Sequence, residues 1–459
     1  MVLAGCKKLL DAKPPPAIII GDEVFTIDST AIAVMNSVYS FLSQNNSFAQ
    51  GSRSIGQLTG FAGDELTPNN SESYQRFYQN ALTATNFSAD YFWNEMYGRI
   101  YTCNKCVEAI PVSKTLSDGV KKQLTAEAKF MRAFIYFQLV NLFGDVPLTT
   151  TTDYRINNVL FRSPVASVYA QILKDLNDAQ VALPPNFVDG FGRTVPERVR
   201  PNAWSAAGML AKVYLYLQDW AAAEAQATKV ISNSDFGLEQ NPSDVFLSRS
   251  LEAVLQLQPK PNQNTMDATI YILSGSPNLY AQFKPIALRP GFTHLFEQGD
   301  NRFAKWIGQV TVPANGATPG ITYYYPFKYK KTTGATTEYL MVLRLAEQYL
   351  IRAEARAEQN KLFGAKDDVD KIRSRAGLGG VAITTKEDMM NTIAHERQVE
   401  LFTEWGNRWF DLKRKGTIDA VMANAAIQKG SVWNSYAKLF PIPQSEIQAN
   451  GHLTQNPGY

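Results

Sequence analysis

This chain has few of the residues that simple functional signatures need. Three cysteines among 459 residues exclude a disulfide scaffold. With only three histidines, the C-x-x-C of Cys103 and Cys106 finds no second ligand pair at zinc spacing. That pair lies in "YGRIYTCNKCVEAI", which reads as helix, whereas a thioredoxin-type motif follows a strand. Packing roles are expected for both, with a strained local disulfide or a redox role as the alternative. A net charge of +3 is far from the basic excess of a phosphate-binding surface, so nothing points to nucleic acid. No apolar run approaches the ~18–20 residues that a membrane-spanning helix requires. There is no G-x-S-x-G elbow, Walker loop or dinucleotide fingerprint. "AHERQVE" at 394–400 starts like a zinc-protease helix with His395 and Glu396, but Val399 stands where the second histidine belongs. Glu396 and Glu400 are the residue types of a glycosidase pair. With Arg397, Arg408 and Arg414 nearby, the expectation is a structural ion-pair network.

What is present is helix. In "KKQLTAEAKFMRAFIYFQLVNLFGDVP", Leu124, Ala128, Met131, Ile135 and Leu139 recur at steps of three and four. A second line of Phe130, Phe134, Phe137 and Val140 predicts burial on most sides. Gly144 stands where a positive-φ cap ends the helix, and Pro147 forbids its resumption. Ser163 is the expected N-cap of the next helix, with Pro164 at its first position and Val168, Ile172, Leu176 and Ala179 on one face. Residues 202–231 place Trp204, Ala207, Ala211 and Tyr214 on the inner face of a helix, followed by a tight "QDW" turn and an alanine-rich second helix. This resembles a tetratricopeptide unit of about 34 residues. Four such pairs are predicted: 26–42 with 91–110, 119–142 with 164–183, 202–217 with 220–233, and 340–360 with 363–376. The fold class is therefore mainly α, a single domain of about four tetratricopeptide-like helix pairs packed against a loop-rich half with a few short strands. That half comprises 43–92, rich in Gly, Ser, Asn and aromatic residues, and 234–340, where "AVLQLQ", "TIYIL" and "ITYYYPFKYK" read as short strands. Long ordered loops on a helical scaffold are where binding surfaces are built. Aromatics at 12% suit a core and also surfaces that stack on flat or sugar-like ligands.

Several segments together resemble one family, SusD/RagB. "LTAEAKFMRAFIYFQLVNLFGDVPL", "LRLAEQYLIRAEARAE", "ERQVELFTEWGNRWFDLKRKG", "WNEMYGRIYTCNKCVEAI" with Asn104, and the ending "FPIPQSEIQANGHLTQNPGY" match its motifs in order. Trp405 is an insertion of a common variant, and Trp93 and Trp409 lie inside the motifs, where core packing is expected. The resemblance implies a non-catalytic, cofactor-free lipoprotein of the bacterial cell surface. Such proteins bind a glycan, or sometimes a peptide, and lid a SusC-like TonB-dependent outer-membrane barrel. A peptide-binding RagB-like protein is one alternative and a surface glycoside hydrolase another. Leu3-Ala4-Gly5-Cys6 resembles a lipoprotein cleavage box, so residues 1–6 are expected to be the remnant of a signal, Cys6 the lipid-bearing residue and 7–459 the domain. Only five residues precede Cys6, where a signal needs about 7–15 apolar ones.

The motifs mark scaffold, so ligand contacts are expected in the loop segments. The candidates there are Phe61, Tyr74, Phe77, Tyr78, Tyr280, Tyr323 and Tyr324, with Asp64, Asn69, Asn70, Gln282 and Arg289 as polar neighbours. A ring stacks on a pyranose face while polar groups bond its hydroxyls. The alternative for each ring is that it pins its own loop.

Overall fold

A computed structural model of the chain describes residues 21–68, 71–88, 90–277, 286–315 and 319–459. Cys6 lies outside them. The fold is mainly helical. The first helix, α1 (Asp28–Leu42), buries Ala31, Met35, Val38 and Leu42 along one face. The segment that follows it carries α2 (Ile55–Ala62), started by the Ser54 hydroxyl accepting from the backbone N–H of Gln57, then β1 (Leu66–Pro68) and α3 (Glu72–Tyr78). Next comes α4 (Trp93–Ala109), with Trp93, Cys103, Asn104 and Cys106 all buried. The two thiols are free, and burial pushes Cys103 up to about 12 and Cys106 upward as well. A buried, protonated thiol is a poor nucleophile, so packing is their role.

The pivot of the helical half is α5 (Asp118–Phe143), which buries 19 of its 26 residues. Both apolar lines read from its sequence point inward, and Gly144 ends it at a φ of 74°. Arg132 of α5 donates to Asp175 through Nε and Nη2, and to Asn104 of α4 through Nη1 at 2.8 Å. After the single turn α6 (Tyr154–Asn157), Asp175 belongs to α7 (Val165–Ala182), so one buried guanidinium ties three helices together. Pro164 is the N-cap of α7, one residue beyond the expected Ser163.

Next, α8 (Ala203–Tyr216) opens with a reciprocal Asn202/Ser205 capping box, and α9 (Trp220–Ile231) is capped by Asp219. Beyond β2 (Ala253–Leu257), the run "TIYIL" starts in the last turn of α10 (Met266–Tyr271) and forms no strand. Short apolar runs do not distinguish the two by periodicity, and here the residues from Met266 take the helical choice with Asp267 in the first turn. Then come β3 (Ile286–Leu288), α11 (Asn301–Trp306), β4 (Ile307–Val312), β5 (Ile321–Pro326) and β6 (Leu340–Arg344). The expected helix from 340 begins only at α12 (Leu345–Glu358), because Leu340–Arg344 pairs antiparallel with β2 and both strands are buried. The chain finishes with α13 (Leu362–Arg375), α14 (Lys386–Leu401), α15 (Asn407–Arg414), α16 (Ile418–Lys429) and α17 (Gln444–Ala449).

The helices stack in sequence. α5 packs on α4 and α7, α7 on α8, α8 on α9, α9 on α12, and α12 on α13 and α14, while α1 covers α4 and α5. Three two-stranded antiparallel sheets, β1–β3, β2–β6 and β4–β5, lie beside this stack. Trp93 and Trp409 are both in the core, as expected.

The expected network around Glu396 and Glu400 exists, with different partners. Glu396 accepts from Arg302 and Arg373, both at 2.8 Å. Glu400 accepts from Arg302 at 3.1 Å, Arg344 at 2.6 Å and Arg375. Arg397 instead pairs with Asp411, Arg408 with Asp64, and Arg414 with Glu354 and Asp411. On a helix, Arg397 points a quarter turn away from its neighbour Glu396, and so each finds its partner on another element.

Candidate functional site

Six of the candidates, Phe61, Asp64, Tyr74, Phe77, Tyr78 and Arg289, lie at one corner, where α2, β1, α3 and β3 meet. β1 pairs with β3 in the register Leu66↔Leu288, Thr67↔Ala287 and Pro68↔Ile286. The backbone N–H of Arg289 donates to Glu65 O at 3.0 Å, and Arg289 Nε donates to Asp64 O at 2.5 Å. α2 is seated deep: a Cβ on Gly56 would come within 2.3 Å of the Thr403 carbonyl oxygen, so only glycine permits that approach.

Three of the sequence-predicted contacts are not available at the surface. Phe61 and Phe77 are fully buried. They sit inside α2 and α3, helices hidden in a stretch whose Gly, Ser and Asn content reads as loop. The Phe61 ring packs 5.2 Å from Tyr74, and Phe77 meets Tyr91 and Phe440 edge-on at 5.4 and 5.7 Å. Asp64 is also buried, and both of its carboxylate oxygens accept from Arg408, Nε and Nη2, at 2.8 Å. Burial alone would raise its carboxyl, but the Arg408 hydrogen bonds and charge, aided by Arg289 and Lys429, hold it below the usual carboxylate range. These three residues build the corner, and their neighbours are the candidates that keep a face to solvent.

Those neighbours are Tyr74, Tyr78 and Arg289, all half-buried. Tyr74 and Tyr78 are four residues apart on α3, hence on one helix face. Tyr78 lies 5.0 Å from Lys429 Nζ, and burial raises its phenol. Tyr323 and Tyr324 alternate faces on β5 and are half-buried as well. Tyr323 packs with Ala287 of β3 in a small cluster that also holds Leu273 and Tyr325, whereas Tyr324 packs against the main core. Tyr323 is thus joined to the corner through β3, and Tyr324 points the other way. Tyr280 and Gln282 lie outside the described residues, as do Asn69 and Asn70.

A support that sequence reading missed is Lys429. Its Nζ donates to the Phe61 and Ala62 carbonyls at 2.8 and 2.9 Å, satisfying buried carbonyls at the C-terminal end of α2. Burial brings it down to about 7. No local signal marks it, since 368 residues separate it from Phe61.

Glu65 lies beneath the same corner, and burial, then the charge of Asp64, pushes it up to about 8. A folded value above the unfolded one stabilises fully below the ordinary carboxylate range, and that contribution is lost as pH rises toward 8. Glu65→Gln, which mimics the neutral acid, is therefore expected to flatten this fall. It should exceed the parent by about 1–3 kcal/mol near pH 8 and match it near pH 4, as read by urea denaturation at the two pH values.

Comparison with known proteins adds the following. A family model described as the SusD family matches residues 305–459, and one described as "starch-binding associating with outer membrane" matches residues 9–215. SusD-like protein P2 of Formosa agariphila is 26% identical, over 100% of this chain and 98% of that protein. A SusD superfamily protein from Bacteroides vulgatus has a similar structure, with a TM-score of 0.79 at 20% identity, over 94% of this chain and 99% of that one. Surface glycan-binding protein A from Bacteroides thetaiotaomicron, in complex with laminarihexaose, has a TM-score of 0.77 at 19% identity, over 94% and 100% of the two chains.

Proposed function

The chain belongs to the SusD/RagB family, and we propose on that premise that it is a non-catalytic glycan-capturing protein of the cell surface. It takes oligo- or polysaccharide at the α3 corner and delivers it to a SusC-like TonB-dependent barrel, held at the outer membrane by a lipid on Cys6. The observation that carries the reading is the pair of half-buried tyrosines, Tyr74 and Tyr78, on one face of α3 beside Arg289. The rings offer apolar faces to the C–H groups of a pyranose, and the guanidinium and phenols reach its hydroxyls. Tyr323, reaching the corner through β3, extends this surface. The relative solved with laminarihexaose and the starch-binding description of one matching family model support a saccharide as ligand. The non-catalytic reading is supported by the state of Glu396 and Glu400, whose carboxylates are held by arginines.

Purified protein incubated with a polysaccharide panel is expected to retain a glycan without releasing reducing ends. Turnover would overturn the reading in favour of a hydrolase, and retention of a peptide library with no glycan would overturn it in favour of peptide capture. Tyr74→Ala and Tyr78→Ala are each expected to weaken glycan binding about tenfold, measured by calorimetry at a temperature where each variant stays folded.

A further inference from the structure

A second cleft shares no element with the tyrosine corner. It lies between α1, the 188–200 segment and the residues at the end of β2, and its volume is about 480 Å³, within the range of small-molecule sites. Its rim carries Phe191, which is 51% exposed. Arg193 Cζ lies 5.2 Å from the ring centroid. An exposed phenylalanine on a loose turn would mean little, but this turn is locked. The Asp189 carboxylate accepts from the N–H of Phe191 at 2.9 Å and of Arg193 at 3.0 Å, and from Arg193 Nε at 2.7 Å. The Asp189 carbonyl accepts from Gln123 Nε2 at 2.8 Å, and Gln123 in turn donates to the buried Glu127. At Gly190 a Cβ would come within 2.4 Å of Ile32, so the turn is pressed against α1. The ring is thus held in place before any ligand arrives, which lowers the entropy cost of binding.

The cleft is also lined by groups that suit hydroxyls. Ser40 and Glu197 line the cleft, and their side chains have no hydrogen-bond partner among the described residues. The Asn36 side-chain carbonyl accepts from Arg200, leaving its amide N–H groups to the cleft. Of the charged lining residues, Asp189 pairs with Arg193 and Arg200 with the buried Glu127, which leaves Glu197 as the one unpaired carboxylate of the lining. A ring face beside hydroxyl and amide donors and one carboxylate acceptor matches the hydroxyls of a neutral saccharide better than an anion.

We infer that this cleft is a second saccharide-binding subsite, with Phe191 as its stacking platform and Ser40, Asn36 and Glu197 as its hydroxyl contacts. The inference rests on the proposed glycan-binding function and adds a second point of attachment to it. Two sites on one chain would raise the avidity for a long polysaccharide above that for a short oligosaccharide.

The test is calorimetry of the whole protein with neutral gluco-, xylo- and mannohexaoses. The parent is expected to show two binding events for at least one of them. Phe191→Ala should weaken one event about tenfold or more and leave the other intact, and Tyr78→Ala should do the converse. Glu197→Gln, a surface change that leaves the ring in place, should weaken the Phe191 event by about threefold or more. A single event, insensitive to Phe191→Ala and abolished by Tyr78→Ala, would overturn this inference and leave the proposed function standing. No binding of any hexaose would overturn both.

Discussion

Glu400→Ala is expected to lower folding stability by about 3–5 kcal/mol, read as a shift of the urea midpoint. Glu400 is completely buried on α14 and answers three guanidiniums, from Arg302, Arg344 and Arg375. Those three arginines come from α11, the end of β6 and α13, so one carboxylate joins four elements. Truncation leaves Arg302 with Asp300 and Glu396 and Arg344 with Glu404, but strands the buried Arg375 without a hydrogen-bonded carboxylate, and that desolvation cost is larger than the net worth of the intact pairs. Glu252 lies 3.5 Å from Arg344 and 3.4 Å from Arg375, too far to take over. Glu400→Gln keeps the shape and removes the charge, and is expected to fall between the parent and the alanine variant.

The same residue predicts the acid limb of the stability profile. Burial alone would raise the Glu400 carboxyl, but Arg375, Arg344 and Arg302 together hold it well below the ordinary range. Glu354, beside Arg414, is held down at about 2 against its own burial, and Asp411 is lowered by Arg397 and Arg414 against the same penalty. A folded value below the unfolded one means the contribution is intact above the usual carboxylate range and is lost as pH falls through the lowered value. Stability should therefore drop steeply below about pH 4, and Glu400→Ala should make that drop shallower while lowering the plateau.

Asp64→Ala is expected to cost about 2–4 kcal/mol and, in the same variant, to weaken glycan binding about tenfold or more. The two effects share one cause. The Asp64 carboxylate holds Arg408 of α15 through two hydrogen bonds, while its carbonyl holds Arg289. Losing the carboxylate strands a largely buried guanidinium and frees α2 from α15 just beneath Tyr74 and Tyr78. Calorimetry at a temperature where the variant stays folded separates the two effects. An unchanged dissociation constant there would show that the corner does not position the ligand surface.

Much of the helical half was legible because its signals are local. The two apolar lines of α5, its stop at Gly144 and the cysteines of α4 all lie within a turn or two of the residues that explain them. The tyrosine corner was legible in composition and not in detail. Tyr74, Tyr78 and Arg289 could be nominated from loop-like stretches, but Phe61, Phe77 and Asp64 carried the same signal and turned out to be buried. A helix of seven or eight residues, such as α2 or α3, is too short to show a periodicity. Phe191 was not singled out, since nothing in "DGFGR" tells an exposed ring from a buried one.

By itself, then, the sequence determined the class of the protein: helical, without a zinc or nucleotide signature, and built on motifs that run through most of its length. Periodicity and capping act between residues a few positions apart, so they can be read along the chain. Which arginine answers which glutamate, and which tyrosine keeps a face to solvent, was decided only by tertiary structure. The Arg302–Glu396 pair spans 94 residues and the Lys429–Phe61 contact spans 368. Desolvation and Coulomb energy depend on distance in space, and over such separations the chain order says nothing about that distance.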